Sequence, residues 1–391
     1  MTARTPVRVG VFVTGAFVHP TYFDAVSGHV QIPLKCAEIL SGGGWEVTLV
    51  TTRATDATHL PYDLLDKLKV CVVQHASCSW PKHRVYLGKA LVQVVQLWML
   101  LKKRRFDIVH FFGGTATGQL LCLLKAMGIP STVVYSPIQR PPAYRSRLGS
   151  LTNVMAFRRI DRILATTAYV ANAWACMVGK TNVGTLCPGI MKEFPLKCGT
   201  GNGQTVLFWR DARHENGVDI AIRSFQKVAP RYPHVRFVFA VRPRDEYEDA
   251  LIRLSREIQN VDVHIYPYCN GVSLAGLLSD ALFVVQPFRQ LSVNPQMCIL
   301  ETLYAGVPVI TTEIESNPEV VHHEENGLLI PPDDEASLTA AIERLLCDEC
   351  LLAELSRSTR PSTQRQWNWD IFASDLLRTY DELRQYGRRY D

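Results

Sequence analysis

Two stretches of this 391-residue chain put charged or carboxyl-bearing side chains where an apolar run meets a helix-like pattern. In the first, Thr205-Val206-Leu207-Phe208-Trp209 leads into Arg210-Asp211-Ala212-Arg213 and then Asn216-Gly217-Val218-Asp219. A guanidinium held at a strand end, together with the free amides of the next helix start, stabilises negative charge that grows on a phosphate group during reaction. Arg210 and Arg213 are the candidates for that work, although Arg213 also reads as a solvated loop arginine. In the second stretch, Cys298-Ile299-Leu300-Glu301 sits in a helical pattern that closes at Gly306. Glycine suits the left-handed residue after a helix, and Pro308 then leads into the apolar run Val309-Ile310.

Single residues elsewhere invite weaker readings. His110 ends the strand-like run Phe106–Phe112, where it could orient a hydroxyl or donate a hydrogen bond; it reads equally as a satisfied core histidine. Gly28 opens a helix after the first strand, either as a phosphate contact or as an ordinary helix-start glycine. Arg140 and Tyr144 lie in the proline-rich loop Ser136–Arg147, which is either a substrate lid or a solvated connection.

The remaining composition narrows the class. Hydrophobic residues make up 47% and charged residues 20% of the chain, the balance of a globular protein, and the length suggests about two domains. A net charge of +5 is too small and too scattered for a nucleic-acid binder. The 11 cysteines are an odd, dispersed set, and the closest pair, Cys347 and Cys350, has no second ligand cluster. That pattern predicts reduced thiols and a cytosolic protein. No secretory signal is read at the start. The apolar run Ala90–Leu101, with the basic Lys102–Arg105 behind it, falls short of the ~20 residues a bilayer span needs, which leaves a helix packed on a sheet or, less favoured, peripheral membrane contact.

These residues need a scaffold, and the chain reads as strands alternating with helices. Strands are predicted at Val7–Thr14, Glu46–Thr52, Lys69–Gln74, Asp107–Phe112, Thr132–Ser136 and Arg162–Thr166. After the glycine-rich stretch 197–204 the alternation restarts at Thr205–Trp209, Val235–Val241, Val261–Ile265, Leu282–Gln286 and Val307–Thr312. Near-continuous apolar strands spaced by helices imply parallel sheets covered on both faces. The expected layout is a first α/β domain over 1–196, a linker over 197–204 and a second over 205–368. A closing helix over 369–391 has Ile371, Phe372, Leu376, Leu377, Tyr380 and Leu383 on one face.

The segment from Cys298 to Thr312 closely resembles the donor-site signature of the family-4 glycosyltransferases. The resemblance continues through Ser316-Asn317-Pro318-Glu319, Asn326-Gly327 and Pro331-Pro332. Thr205–Ile220 resembles that family's strand, cation and helix start, and Phe106–Gly114 its strand beside the acceptor. The resemblance implies the GT-B fold, two Rossmann-like doubly wound domains facing each other across a cleft, the last helix packing back on the first. It implies hexosyl transfer from a nucleotide diphosphate sugar to an acceptor hydroxyl or amine, on a small molecule, glycan or lipid. The anomeric configuration is retained, and no metal or other cofactor is needed. Arg210 would be the first cation at the diphosphate and Glu301 would accept hydrogen bonds from the ribose hydroxyls. Gly28 would lie near the diphosphate, and His110, Arg140 and Tyr144 would lie on the acceptor side.

Two departures stand out: Asn216 replaces the family's lysine, and Val293 replaces a glutamate that contacts the sugar. Arg213 is then the candidate substitute cation, and Asn294 and Gln296 the candidate neutral contacts to the sugar. The departures also allow a second reading, a catalytically weakened sugar-nucleotide-binding subunit or partner.

Overall fold

In the computed structural model the described residues are 7–13, 18–19, 22–26, 28–51, 69–72, 98–103, 106–113, 124–125, 127–128, 132–141, 154–155, 157–179, 182–190, 204–242, 245–266 and 271–387. They fall into two units, Met1–Pro188 with Trp369–Asp391, and Gly189–Asn368. The expected linker, 197–204, lies outside the described residues apart from Gln204.

The first unit contains β1 (Arg8–Val13), a ribbon of β2 (Val18–His19) and β3 (Tyr22–Val26), α1 (Gly28–Gly42), β4 (Glu46–Thr51) and β5 (Lys69–Val72). It continues with β6 (Ile108–Gly113), β7 (Thr132–Pro137), β8 (Arg162–Ala165), α2 (Ala168–Val178) and β9 (Val183–Thr185). Seven strands form one sheet in the order β5-β4-β1-β6-β7-β8-β9, and every recorded pairing in it is parallel. The β6 residues Ile108 to Phe112 are all buried, as expected for a strand covered on both faces. Phe157 and Trp174 meet edge to face at 4.7 Å over this sheet, and Thr167 caps α2 by accepting from the Val170 amide. In the segment 98–103, Leu101 is buried in the same core while Met99 is half exposed, so its described part packs on the protein. Among the described residues no helix is long and apolar enough to cross a membrane.

The second unit holds β10 (Thr205–Asp211), α3 (Val218–Val228), β11 (Arg236–Arg242), α4 (Asp245–Glu257), β12 (Val261–Ile265), α5 (Leu274–Asp280) and β13 (Ala281–Gln286). After these come α6 (Met297–Tyr304), β14 (Val309–Thr312), α7 (Asn317–Val320), β15 (Gly327–Ile330), α8 (Glu335–Cys347) and α9 (Glu349–Gln366). Its parallel sheet runs β12-β11-β10-β13-β14-β15. Both units are therefore doubly wound α/β sheets. The closing helix α10 (Trp369–Gly387) belongs to the first unit, where Phe372, Leu376 and Tyr380 are buried.

The strand order of the second sheet positions the site. From β10 the chain winds outward through β11 and β12, then returns to place β13 on the opposite side of β10. Connections on the two sides cover opposite faces, which leaves a crevice at the carboxyl ends of β10 and β13. Gly217 closes one wall of it. Its φ of +71° is left-handed, and a Cβ there would meet the Pro287 carbonyl oxygen at 1.9 Å. Gly217→Ala is therefore expected to cost more than about 2 kcal/mol. Urea unfolding checks this, and an unchanged midpoint would contradict the closeness of that contact.

Candidate functional site

The residues at the carboxyl ends of β10, β13 and β14 meet in the second unit. Trp209 donates its indole N–H to Thr302 Oγ1 at 3.0 Å, and Thr302 donates to the Cys298 carbonyl at 2.7 Å, which ties α6 to β10. Gln286 at the end of β13 donates to the Trp209 carbonyl at 3.2 Å. The ties bring Arg210 and Glu301 close to one buried thiol, Cys298. Burial pushes that thiol up, while Arg210 draws it down and Glu301 adds to the rise.

Arg210 has donors to spare. Its Nη2 reaches Ser292 Oγ only at 3.4 Å, and its Nε is buried without a hydrogen-bond partner. A buried guanidinium donor left unpaired calls for an acceptor from outside the protein, and a phosphate oxygen fits it in charge and geometry. Arg213 is about half exposed and sits 3.6 Å from Asp211, whose other oxygen lies 3.7 Å from Arg242. Asn216 is buried, and its amide donates to the Asp211 carbonyl at 2.9 Å. Its visible role is to shape the loop that carries Arg213.

Asn294 and Gln296 are also buried. Asn294 donates to Glu315 Oε2 at 2.9 Å and accepts from the Ser316 hydroxyl at 2.6 Å. Gln296 donates to Ser292 Oγ at 3.4 Å, and its Oε1 is buried with no partner. Arg289 makes the firmest bonds here. It binds Asp219 through two nitrogens at 2.5 and 2.9 Å, the His214 carbonyl at 2.8 Å, and Asp333. The hydrogen bond it donates to Asp219 leads the causes that push the Arg289 guanidinium up; burial of Asp219 opposes ionisation there, but Arg289 and Arg223 hold that carboxyl below its ordinary value.

The remaining candidates belong to the first unit. His110 is fully buried, with Nδ1 2.8 Å from the Tyr380 hydroxyl on α10 and Nε2 2.8 Å from Ser136 Oγ on β7. Its ring stacks on Phe112 at 4.1 Å, and the Cys36 sulfur lies 3.9 Å away. Burial lowers its pKa to about 3, so both nitrogens serve the core as a neutral ring. Arg140 is exposed just beyond β7, where the indole N–H of Trp174 donates to the neighbouring Gln139 carbonyl at 2.9 Å. Gly28 begins α1; Tyr144 lies outside the described residues.

Residues 203–348 match the model of the family described as glycosyl transferases group 1, and residues 27–186 match the glycosyl transferase 4-like domain. The chain belongs to the group 1 glycosyltransferases. It is 28% identical over 380 residues to a phosphatidyl-myo-inositol mannosyltransferase of Mycobacterium leprae, covering 95% of this chain and 97% of that one. An exopolysaccharide phosphotransferase of Streptomyces coelicolor is 29% identical over 199 residues, 48% of this chain, which spans only 20% of that relative's length. The structure of Anabaena HepE in complex with UDP-glucose shares the fold, with a TM-score of 0.71 at 13% identity over 96% of this chain and 99% of that one.

Sequence reasoning missed two residues of this glycosyltransferase's cluster, Arg289 and Glu315. Arg289 follows an apolar strand just as Arg210 does, a signal that was available. Glu315 gives no comparable signal, because only the fold carries its carboxylate under the loop after β13.

The buried His110 gives a stability prediction. Its folded-state pKa is depressed, so between 6.5 and about 3 the unfolded chain binds a proton that the folded one refuses. Stability from this ring is therefore complete above pH 6.5 and is lost as pH falls, by up to about 1.4 kcal/mol per pH unit. Denaturant titrations from pH 7 to 5 are expected to show this slope in the wild type and its loss in His110→Gln.

Proposed function

We propose that this glycosyltransferase moves a hexosyl group from a nucleotide diphosphate sugar to an acceptor hydroxyl or amine, with retention at the anomeric carbon and without a metal ion. The observation that carries this reading is Arg210, whose buried, unpartnered Nε lies at the switch point of the second sheet, with Glu301 on the adjoining helix. A leaving diphosphate gains charge in the transition state, and a half-buried guanidinium positioned there lowers the barrier with little reorganisation. Arg213 follows three residues later on the same loop and is the candidate second cation. Two guanidiniums supply the charge stabilisation that a divalent ion would otherwise bring. Glu301 is the natural acceptor for ribose hydroxyls, leaving the leaving-group phosphate to take the acceptor's proton.

The relatives support the substrate class. HepE was solved with UDP-glucose, and the mycobacterial relative acts on phosphatidyl-myo-inositol, an acceptor bearing hydroxyls. Arg210 and Glu301 are both retained, which favours an enzyme over a weakened binding partner.

The test is kinetic. Arg210→Ala is expected to lower kcat by roughly a hundredfold or more, while the dissociation constant for UDP or GDP changes by less than tenfold. Glu301→Ala is expected to weaken nucleotide binding by roughly tenfold to a hundredfold, with kcat at saturation largely kept. Product stereochemistry read by NMR, and rates unchanged by EDTA, check retention and metal independence. Tight nucleotide binding with no turnover on any acceptor would defeat the enzymatic reading.

A further inference from the structure

Glu315 is one of three non-glycine residues among those described with a positive φ, +46°. A side chain in the left-handed region costs conformational energy, and such outliers gather where a side chain has to be aimed. Here the aimed group is a carboxylate. Three residues past the end of β14, it turns back under the loop that follows β13. Its Oε1 accepts from the Leu291 amide at 3.4 Å and its Oε2 from the Asn294 side chain at 2.9 Å. Residue 292, next along that loop, is the one Arg210 touches. Glu315 is only half buried, and an ionised carboxylate can accept about four hydrogen bonds. Two are used, so each oxygen keeps an acceptor site.

A second, independent observation lies on the same loop. Gln296 is 1% exposed, yet its Oε1 has no hydrogen-bond partner, while its amide nitrogen is committed to Ser292. A buried acceptor left unmet costs on the order of 1–3 kcal/mol unless a ligand or water donates to it. Beside the cationic corner at Arg210, the Gln296 oxygen and the Glu315 carboxylate therefore offer acceptors that the protein leaves unused. Phosphate oxygens cannot satisfy them; a ring bearing several hydroxyl or amino donors can.

We propose that Glu315 and Gln296 bind the hydroxyl or amino groups of the donor's sugar, with Asn294 orienting the Glu315 carboxylate. The proposal rests on the donor-site reading above, and it makes Glu315 a residue that sets which sugar is accepted. The pairing also gives a role to Asn294, whose amide donates to Glu315 and accepts from Ser316, as a positioning residue.

Calorimetry with UDP, GDP, UDP-glucose and GDP-mannose on the full chain separates sugar binding from nucleotide binding. In the wild type the preferred nucleotide sugar is expected to bind more tightly than its own nucleoside diphosphate. Glu315→Gln keeps the side-chain shape and is expected to cut that ratio at least fivefold, with nucleoside diphosphate affinity within twofold of wild type. Glu315→Gly removes the backbone strain, keeps the fold by thermal melting, and is expected to lose the ratio equally. A ratio unchanged in both variants, or a parallel loss of affinity for nucleoside diphosphate and nucleotide sugar, would overturn the assignment. So would a wild type to which the sugar adds nothing. A wild type that binds no nucleoside diphosphate would overturn the donor-site reading and this proposal with it.

Discussion

Because Gly217 lies against the Pro287 carbonyl with no room for a methyl group, the loop after β10 and the segment after β13 are held at backbone contact. That approach sets how close Arg210, carried by the first, can come to Ser292, carried by the second. The same two segments are bonded again where the Arg289 amide donates to the Glu215 carbonyl at 2.9 Å. The corner proposed to hold the diphosphate is thus built from main chain before any side chain acts. Helix α6 is then pulled in by the bond from Trp209 to Thr302, which brings Glu301 to the same corner.

Charge in the corner is divided unequally. Arg289 is spent, since Asp219, Asp333 and the His214 carbonyl take up its donors, and two carboxylates more than cancel its charge. Its work is mechanical: it joins the start of α3, the loop after β13 and the connection before α8. Arg210, by contrast, pairs with no carboxylate among the described residues and keeps a donor unpaired. Breaking a part-buried, bidentate pair such as Arg289–Asp219 costs more than the pair returns over an apolar substitute, so its value lies in fixing the loops. The arginine proposed to bind the diphosphate is the one left without a match.

Much of this was legible in the sequence. Long β-branched runs such as Thr205–Trp209 and Thr132–Ser136 located their strands to within a residue or two, because both faces are buried and apolar character is continuous. Short strands were not legible: Val183–Thr185 and Gly327–Ile330 are too brief to show a period, and the second opens at Asn326-Gly327, which reads as a turn. The 18-residue helix Glu349–Gln366 carries Pro361 inside it and a polar composition, both of which argue locally against a helix. At the site, Arg210 and Glu301 could be singled out because their neighbours along the chain define their setting. His110 and Glu315 could not be weighed in this way. Tyr380, the partner of His110, is 270 residues distant, and Glu315 meets Leu291 across two strands.

The same distinction separates scaffold from site better than residue type does. His110, Asn216 and Gln286 are polar, buried and chemically capable, yet the protein supplies their bonds: Tyr380 and Ser136 for His110, the Asp211 carbonyl for Asn216, and the Trp209 carbonyl for Gln286. A group bonded on every side is stabilised in place and has little to offer a substrate. Of the six buried side-chain atoms left unmet among the described residues, three, Arg210 Nε, Gln296 Oε1 and Asn317 Oδ1, lie at the end of β10 or in the segments that follow β13 and β14. Folding tolerates unmet polar atoms only where something else satisfies them or where their cost is offset elsewhere. Their chemistry is complementary: one cationic donor, and two neutral acceptors with the Glu315 carboxylate among them. A ligand that answers all of them must be an anion at one end and rich in hydrogen-bond donors at the other, which is the polarity of a sugar joined to a diphosphate.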